Sequence, residues 1–254
     1  MDLPFETIYK KSQLTRWMAA MPRRFSCRHF KDAADISQLA VLEYAAERVC
    51  QKGIRIAIIN GGADDVVVTL PLFPRFKGHD QYAVILAKKD LPNAGLLAGI
   101  SGEAFALELA AQGLQGCWIT GNYRRIVAVQ AALEDEQVMA VMPFGVPKDE
   151  EGARLTRRKI LTAFSPDDPT LWPYWAYRAA ESMRSAPSAM NRQPWRVSFS
   201  GSTLSFVGNK LNSIDSGIAV LHIECSLVDE ARAWRLAADN KTLLVQVEEA
   251  HEPV

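Results

Sequence analysis

The chain has 254 residues, with 29 basic and 29 acidic side chains and a formal net charge of zero. This balance excludes a long-range attraction to nucleic acid or anionic lipid, and an apolar fraction of 48% excludes general disorder. Four scattered cysteines without a C-x-x-C pair argue against a disulfide or zinc framework. With no signal-peptide pattern and no apolar run of roughly 18 residues, we expect a soluble, cytoplasmic protein that no membrane holds.

The first part of the sequence alternates helix and strand signals. Apolar residues over 5–20 have a loose helical spacing, and a clearer helix is capped by Asp35 or Ser37 and stopped by Gly53. The run over 54–59 predicts a strand, which an Asn-Gly-Gly turn closes. The other elements predicted in this part are strands over 66–68, 82–86 and 138–142, the last ended by Pro143, and helices over 99–113 and 124–133.

A second part follows a stretch of different composition. Residues 148–173 are rich in charge and proline without apolar periodicity, which indicates a linker on the surface. The pattern then restarts with a helix over 171–184 and a strand over 195–199. A Gly-Ser turn leads into a strand over 204–207, which predicts a hairpin, and a further helix opens at Asp215.

The two parts resemble weak copies of each other. Ala45-Ala46-Glu47 matches Ala179-Ala180-Glu181 before a strand, and Ser101-Gly102 matches Ser216-Gly217 at the opening of an apolar helix. The shared order of helix, strand and Ser-Gly helix favours a duplication, although short Ala-rich helices also resemble one another by chance. The second copy carries an extra loop over 185–194.

Residues 186–195, which include most of this extra loop, are here called the amide loop. Two prolines stiffen it, and Asn191 and Gln193 each offer two N–H donors and a carbonyl acceptor. Such a loop suits the edge of a flat heteroaromatic ligand. The alternative interpretation is that the amide side chains only satisfy hydrogen bonds of the loop's own backbone. The chemistry alone slightly favours this alternative.

A second segment, residues 23–30, concentrates guanidinium groups and is here called the arginine segment. In an extended conformation Arg24, Ser26 and Arg28 share one face, and arginine forks match phosphate oxygens. A solvated basic turn is the commoner fate of such a run. The basic run Arg157-Arg158-Lys159 could join the same anion site or simply face water.

The two segments together resemble a known family. Arg24-x-Ser26-x-Arg28-x-Phe30 and Ala186-Pro187-Ser188-Ala189-x-Asn191-x-Gln193-Pro194-Trp195 are similar to the hallmark segments of the nitroreductase family of FMN flavoproteins. Residues 113–119 and 143–147 resemble its helix-to-strand junction and a strand end. In most members the hallmark segments lie close together in one dimerising domain, whereas here each copy holds one. The chain therefore resembles the duplicated, TM1586-type branch.

This resemblance implies a fold and a domain organisation. It predicts an α+β, nitroreductase-like fold of two tandem related halves, with mixed or antiparallel sheet surrounded by helices, which form an intramolecular pseudo-dimer. The halves would span 1–150, with the arginine segment, and 171–254, with the amide loop, joined by a linker over 151–170. A monomer is expected, because the internal interface replaces that of a dimer.

The resemblance also carries over cofactor-binding roles. Arg28 would approach the N1/O2 edge of the flavin ring. The residues expected at the FMN phosphate are Arg24 and Ser26, with Arg157 or Arg158 nearby. The residues expected to line the ring are Pro187, Ser188 and Asn191, with Gln193 bracing the loop. One FMN per chain is expected, because residues 51–53 are too short to provide a second amide loop.

The implied activity is that of an NAD(P)H:acceptor oxidoreductase acting on a nitroaromatic, quinone or similar small molecule. NAD(P)H would be a transient co-substrate, because Asn60-Gly61-Gly62 lacks the spacing of a dinucleotide fingerprint. No side chain is expected to be catalytic, and the four scattered histidines predict no metal site. Phe73, Phe76 and Lys77 could border the substrate pocket. The alternatives are another reductive reaction on this fold and a flavin-binding or sensor protein with little turnover.

Overall fold

The computed structural model of the chain describes residues 3–6, 9–68, 75–78, 80–148 and 157–247. Helices and two antiparallel sheets make it an α+β protein, as predicted. The helices are α1 (Lys11–Ala20), α2 (Ile36–Val49), α3 (Ala63–Val66), α4 (Ala94–Ala111), α5 (Arg125–Ala128), α6 (Tyr174–Ser185) and α7 (Ile214–Ser226). The strands are β1 (Phe30–Asp32), β2 (Ile54–Ile59), β3 (Gln81–Lys88), β4 (Gln115–Gly116), β5 (Glu136–Pro147), β6 (Trp195–Ser200), β7 (Thr203–Gly208), β8 (Arg232–Leu236) and β9 (Thr242–Val247).

The first sheet belongs to the part before residue 148 and the second to the part after residue 194. The first has the order β1-β5-β3-β2, with β4 pairing with β5, and the second has the order β6-β7-β9-β8. Strand β3 lies between two neighbours and is buried along nearly its whole length, which explains its continuous apolar sequence. The predicted hairpin is present as the β6–β7 pair.

Helix α4 forms the centre of the core. By length and composition it could cross a membrane, but 94% of it is buried inside the protein. Its apolar residues pack against helices on one side and against the first sheet on the other. An apolar sequence all round the helix is therefore accounted for by a surrounding core.

Helices α4 and α7 cross in backbone contact and join the two parts of the chain. A Cβ on Gly217 would lie 2.0 Å from the carbonyl oxygen of Leu96 and 2.8 Å from the Cα of Gly99. A Cβ on Gly99 would lie 2.2 Å from the carbonyl oxygen of Ile214. Only glycine permits this approach of the two helices, because each atom that a Cβ would meet belongs to the backbone.

Several predicted elements have different bounds in the structure. The strand predicted over 66–68 is wrong, because residues 63–66 form α3 and Val67 makes only an isolated bridge. Gly62, with φ +77°, and two aspartates in the first turn favour a helix start there over a short β-branched run. Pro143 does not end its strand: β5 continues to Pro147, and the Pro143 carbonyl accepts a hydrogen bond from Cys117 N–H (3.1 Å).

The remaining differences concern shorter elements. The helix predicted over 124–133 is the single turn of α5 followed by a 3-10 turn, and the helix predicted over 171–184 begins at Tyr174. Of the predicted linker over 151–170, residues 151–156 lie outside the described residues, and the described part contains 3-10 turns at Leu161–Ala163 and Pro169–Leu171.

The crossing of α4 and α7 makes a direct prediction for stability. Gly217→Ala should lower the free energy of unfolding by about 2–3 kcal/mol, since the methyl group meets backbone atoms that cannot move aside. Gly121→Ala is the matched control, because nothing lies within 4 Å of its Cβ position. Urea unfolding of both variants measures the difference in stability. Equal unfolding midpoints would contradict the close backbone contact of α4 and α7.

Candidate functional site

A cleft opens between the arginine segment and the amide loop, which lie far apart in the sequence. Its volume is about 480 Å³, within the range of roughly 300–1,000 Å³ that is usual for small-molecule sites. Helix α7 supplies part of the wall. The lining residues are Ser26, Arg28, Cys117, Trp118, Thr120, Arg157, Arg158, Pro187, Ser188, Ala189, Met190, Asn191, Ile214, Asp215 and Ile218.

The structure brings most of the predicted site residues together at this cleft. Arg24 and Gln193 are the two that do not line it. Those that do are Ser26, Arg28, Arg157, Arg158, Pro187, Ser188 and Asn191. Their placement is a geometric fact, whereas their roles as cofactor ligands stay predictions.

The arginine segment is held in an extended conformation by the β4 region. Phe25 N–H donates to Gln115 Oε1 (3.0 Å), and Cys27 N–H donates to the carbonyl oxygen of Gly116 (3.1 Å). Phe25 and Cys27 are buried, while the residues on either side of them are partly exposed. This alternation turns Ser26 and Arg28 toward the cleft.

Arg24 takes part in an ion pair behind the cleft. Its side chain is only 5% exposed, and its Nε lies 3.3 Å from Oε1 of Glu103, which is completely buried on α4. The carboxylate also accepts a hydrogen bond from Trp118 Nε1 (2.9 Å) and contacts His222 Nε2 (3.0 Å). Burial alone would raise the pKa of Glu103, but the Arg24 charge, His222 and Trp118 hold it below its ordinary value.

The amide loop owes its shape to internal hydrogen bonds and to unusual backbone angles. Gln193 N–H donates to Ser188 Oγ (2.8 Å), and Ala189 N–H donates to Asp215 Oδ1 (2.9 Å) at the start of α7. Met190, Asn191 and Gln193 have φ values of +51°, +54° and +51°. Such left-handed conformations are costly for residues other than glycine and are typical of functional sites.

Gln193 braces this loop from within. It is 2% exposed. Its Oε1 accepts a hydrogen bond from Lys159 N–H (3.0 Å), and its Nε2 donates to the carbonyl oxygen of Asn191 (3.0 Å). The side chain thus ties the loop to the basic run rather than facing the cleft.

Arg158 is a second brace. Its Nη1 donates to Asn191 Oδ1 (2.7 Å) and its Nη2 to the carbonyl oxygen of Ser185 (2.8 Å). Burial, reinforced by the Arg24 charge, lowers the pKa of Arg158 to about 10, which leaves it protonated at neutral pH. Since Asn191 Nδ2 also donates to the Arg157 carbonyl oxygen (2.6 Å), both ends of the Asn191 amide have protein partners.

Two guanidinium groups on the cleft keep their donors available. Within the described ranges, the side chains of Arg28 and Arg157 make no hydrogen bond or ion pair with another residue. Asp215 supplies a carboxyl group on the opposite wall, where burial raises its pKa. The cleft therefore carries an excess of unpaired positive charge.

A second lobe of about 360 Å³ adjoins the cleft. It shares Arg28, Trp118 and Met190 with the first lobe and adds mainly apolar walls. The added residues are Val68, Phe76, Ile119, Gly121 and Asn122. Of the residues predicted to border a substrate pocket, Phe76 lines this lobe, Lys77 does not, and Phe73 lies outside the described residues.

Comparison with known proteins decides the family. Residues 16–227 match the model of the family described as "Putative TM nitroreductase". The chain belongs to this nitroreductase family. This confirms the resemblance drawn from the two hallmark segments. No curated protein matches the chain.

Solved structures of nitroreductase-family proteins are similar to this chain. The crystal structure of a "putative nitroreductase" from Thermotoga maritima has 22% identity and a TM-score of 0.61, covering 95% of this chain and 98% of that one. NfnB of Mycobacterium smegmatis, an FMN-dependent nitroreductase in complex with NADPH, has 14% identity and a TM-score of 0.47, covering 63% of this chain and 100% of that one. A "Putative NADH dehydrogenase/NAD(P)H nitroreductase" of Bacteroides thetaiotaomicron has 14% identity and a TM-score of 0.48, covering 62% of this chain and 96% of that one. The first of these confirms the predicted nitroreductase-like fold.

Sequence reasoning missed several residues of the cleft of this family member. Trp118 lies in the segment that resembles a helix-to-strand junction, Asp215 is predicted only to open a helix, and Ile214 belongs to no predicted element. Glu103 and His222 have no motif around them, and the only available signal is an ionisable residue inside an apolar helix. A buried charge of that kind needs partners, which the sequence does not reveal.

The bracing role of Gln193 can be tested by stability. Gln193→Ala should lower the free energy of unfolding by about 1–3 kcal/mol, because this buried side chain loses its hydrogen bonds with Lys159 N–H and the carbonyl oxygen of Asn191. Gln137→Ala is the matched control, since the Gln137 amide makes only one long, exposed hydrogen bond (3.3 Å). Denaturant unfolding compares the two, and equal losses would argue against the brace.

Proposed function

We propose that this member of the nitroreductase family binds one FMN in the cleft and is an oxidoreductase that passes reducing equivalents from NAD(P)H to a nitroaromatic, quinone or similar acceptor. One observation carries the proposal. Ser26 and Arg28, from one end of the chain, and Pro187, Ser188 and Asn191, from the other, line a single cleft. A site assembled from two remote segments needs a ligand that both contact.

The donor set of the cleft fits FMN. A phosphate monoester requires cationic and hydroxyl donors, which Arg157 and Ser26 can provide, while Arg28 remains available to the ring, and within the described residues neither guanidinium has another partner. A flat ring requires apolar walls, and Ile214, Ile218, Pro187 and Trp118 provide these. Among the described residues no group of His, Cys, Asp and Glu side chains could hold a metal ion.

The residues of the cleft divide into ligands and supports. We assign the direct polar contacts with FMN to Ser26, Arg28 and Arg157. Arg24 supports them from behind through its ion pair with Glu103, and Arg158 and Gln193 hold the amide loop in shape. This assignment departs from the expectation that Arg24 touches the phosphate, because its guanidinium faces a buried carboxylate.

The protein contributes position and electrostatics to the reaction. When bound, FMN supplies the chemistry that accepts hydride from a reduced nicotinamide and returns the electrons to an acceptor. A guanidinium such as Arg28 would stabilise negative charge on a ring bound beside it. The mainly apolar second lobe offers space for a flat acceptor next to Arg28.

We also propose that the two parts of the chain act as an internal pseudo-dimer, with halves over 1–150 and 171–254. The cleft lies between them, which supports this view. At the corresponding junction of the first half, only residues 50–53 separate α2 from β2, and Gln51 there is buried against Glu6 N–H (2.7 Å). One FMN per chain and a monomer in solution follow from this arrangement.

The absorbance of the purified protein tests the proposed function. We expect flavin bands, either as isolated or after addition of FMN, and anaerobic bleaching by NADH or NADPH. A protein that takes up no FMN would rule out the proposal. Bound flavin that neither nicotinamide bleaches would identify a binding module without turnover.

Substitutions in the arginine segment test the ligand assignment. Arg28→Ala should weaken FMN binding about tenfold or more, the effect of losing a charge-assisted hydrogen bond. Arg23→Ala is the control, because Arg23 is exposed in the same segment and does not line the cleft. Quenching of flavin fluorescence during titration measures both affinities. Equal FMN affinities of the two variants would show that Arg28 does not contact FMN.

A further inference from the structure

Glu103 is a buried charged residue that the proposed chemistry does not use. It lies on α4, one residue after Gly102, and its side chain is completely buried. Three donors converge on its carboxylate: Trp118 Nε1 at 2.9 Å, His222 Nε2 at 3.0 Å and Arg24 Nε at 3.3 Å. Glu103 does not line the cleft, so any effect on a ligand must act through these partners.

Each partner of Glu103 is connected to a different segment that forms the cleft, and Trp118 lines it directly. Arg24 precedes Ser26 in the arginine segment. Trp118 is itself a wall, and its indole fits against Gly102, where a Cβ would lie 2.2 Å from Trp118 Cη2. His222, on α7, reaches the end of α6, from which the amide loop starts.

The contact between His222 and α6 involves two residues. His222 Nδ1 lies 3.1 Å from the carbonyl oxygen of Ser182 and 3.1 Å from Ser185 Oγ. Ser185 is the last residue of α6, and its carbonyl oxygen also accepts from Arg158. The position of the amide loop is thus connected to Glu103 through one imidazole ring.

The two ring nitrogens of His222 face different elements. The Glu103 carboxylate can only accept, so Nε2 donates to it. Nδ1 faces the Ser182 carbonyl oxygen and the Ser185 hydroxyl, which are themselves 2.7 Å apart. His222 therefore links α4 to the end of α6.

We propose that Glu103 is a positioning residue for the cofactor cleft, which holds Arg24, the Trp118 wall and, through His222, the base of the amide loop in register. The cofactor part of this inference rests on the proposed function. The arrangement itself depends only on the contacts of Glu103. Its two carboxylate oxygens are shared by donors from the arginine segment, from Trp118 and from α7, so these parts cannot move independently.

The chain contains two matched controls for Glu103. Glu108, also on α4, accepts from Trp17 Nε1 (2.7 Å) and from Arg16 Nε (2.9 Å). Glu224, on α7, accepts from Trp234 Nε1 (2.7 Å) and pairs with Arg232. Both are buried glutamates with a tryptophan and an arginine, but neither tryptophan lines the cleft.

The first experiment compares FMN affinity in Glu103→Gln, Glu108→Gln and Glu224→Gln. The amide has one acceptor oxygen, so in Glu103→Gln its NH₂ group must face at least one of three donors. We expect this variant to bind FMN about tenfold more weakly and the two controls to stay within about twofold. Melting temperatures are measured alongside. Losses of affinity that follow the losses of stability in all three variants would overturn the proposal.

The second experiment needs no cofactor. Nitrogen-15 spectra of the apo protein should show a hydrogen-bonded Nε2–H for His222 and a strongly hydrogen-bonded indole N–H for Trp118, assigned with His222→Gln and Trp118→Phe. Glu103→Gln should remove at least one of the two signatures, because its amide has one acceptor oxygen, and Glu224→Gln should leave both unchanged. Signatures that persist unchanged in Glu103→Gln would overturn the inference. If the wild type binds no FMN, the proposed function fails, and these spectra still decide whether the network exists.

Discussion

The backbone contact between α4 and α7 is the constraint on which the rest of the structure depends. Gly99 and Gly217 let the two helices touch, and each helix carries one part of the chain with its own sheet. Since α7 begins at the wall of the cleft and α4 carries Glu103, the same crossing sets the distance between the arginine segment and the amide loop. A side chain at the crossing would separate the parts and widen the cleft.

The arginines in and behind the cleft are of two kinds. Some are paired with other residues of the protein, and others are available to a ligand. Arg24 and the half-buried Arg158 have protein partners, the first Glu103 and the second Asn191 and Ser185. Arg28 and Arg157 line the cleft without such partners among the described residues. The paired arginines supply rigidity and positive potential, and the unpaired ones supply donors. This division is what a preorganised anion site requires.

The prediction of the fold succeeded where a local signal is strong. The continuous apolar strand β3 and the Gly-Ser turn of the β6–β7 hairpin were predicted correctly. The strand predicted from Val66, Val67 and Val68 is wrong, because the helix-start signals at Gly62 outweigh a short β-branched run. Strands β8 and β9 were not predicted, and Arg232, on the same face of β8 as the buried Trp234, masks the alternation of that strand.

The sequence by itself determined the nitroreductase family and the two segments that form the cleft, because their residue types and spacing are local and specific. The tertiary structure alone decided which of those residues face the cleft. Arg24 and Arg28 have the same side chain in the same segment, yet one meets the buried carboxylate of Glu103 and the other meets open space. That difference comes from α4 and α7, whose residues are remote in the sequence. Burial and partnership depend on such neighbours and cannot be read from a local pattern.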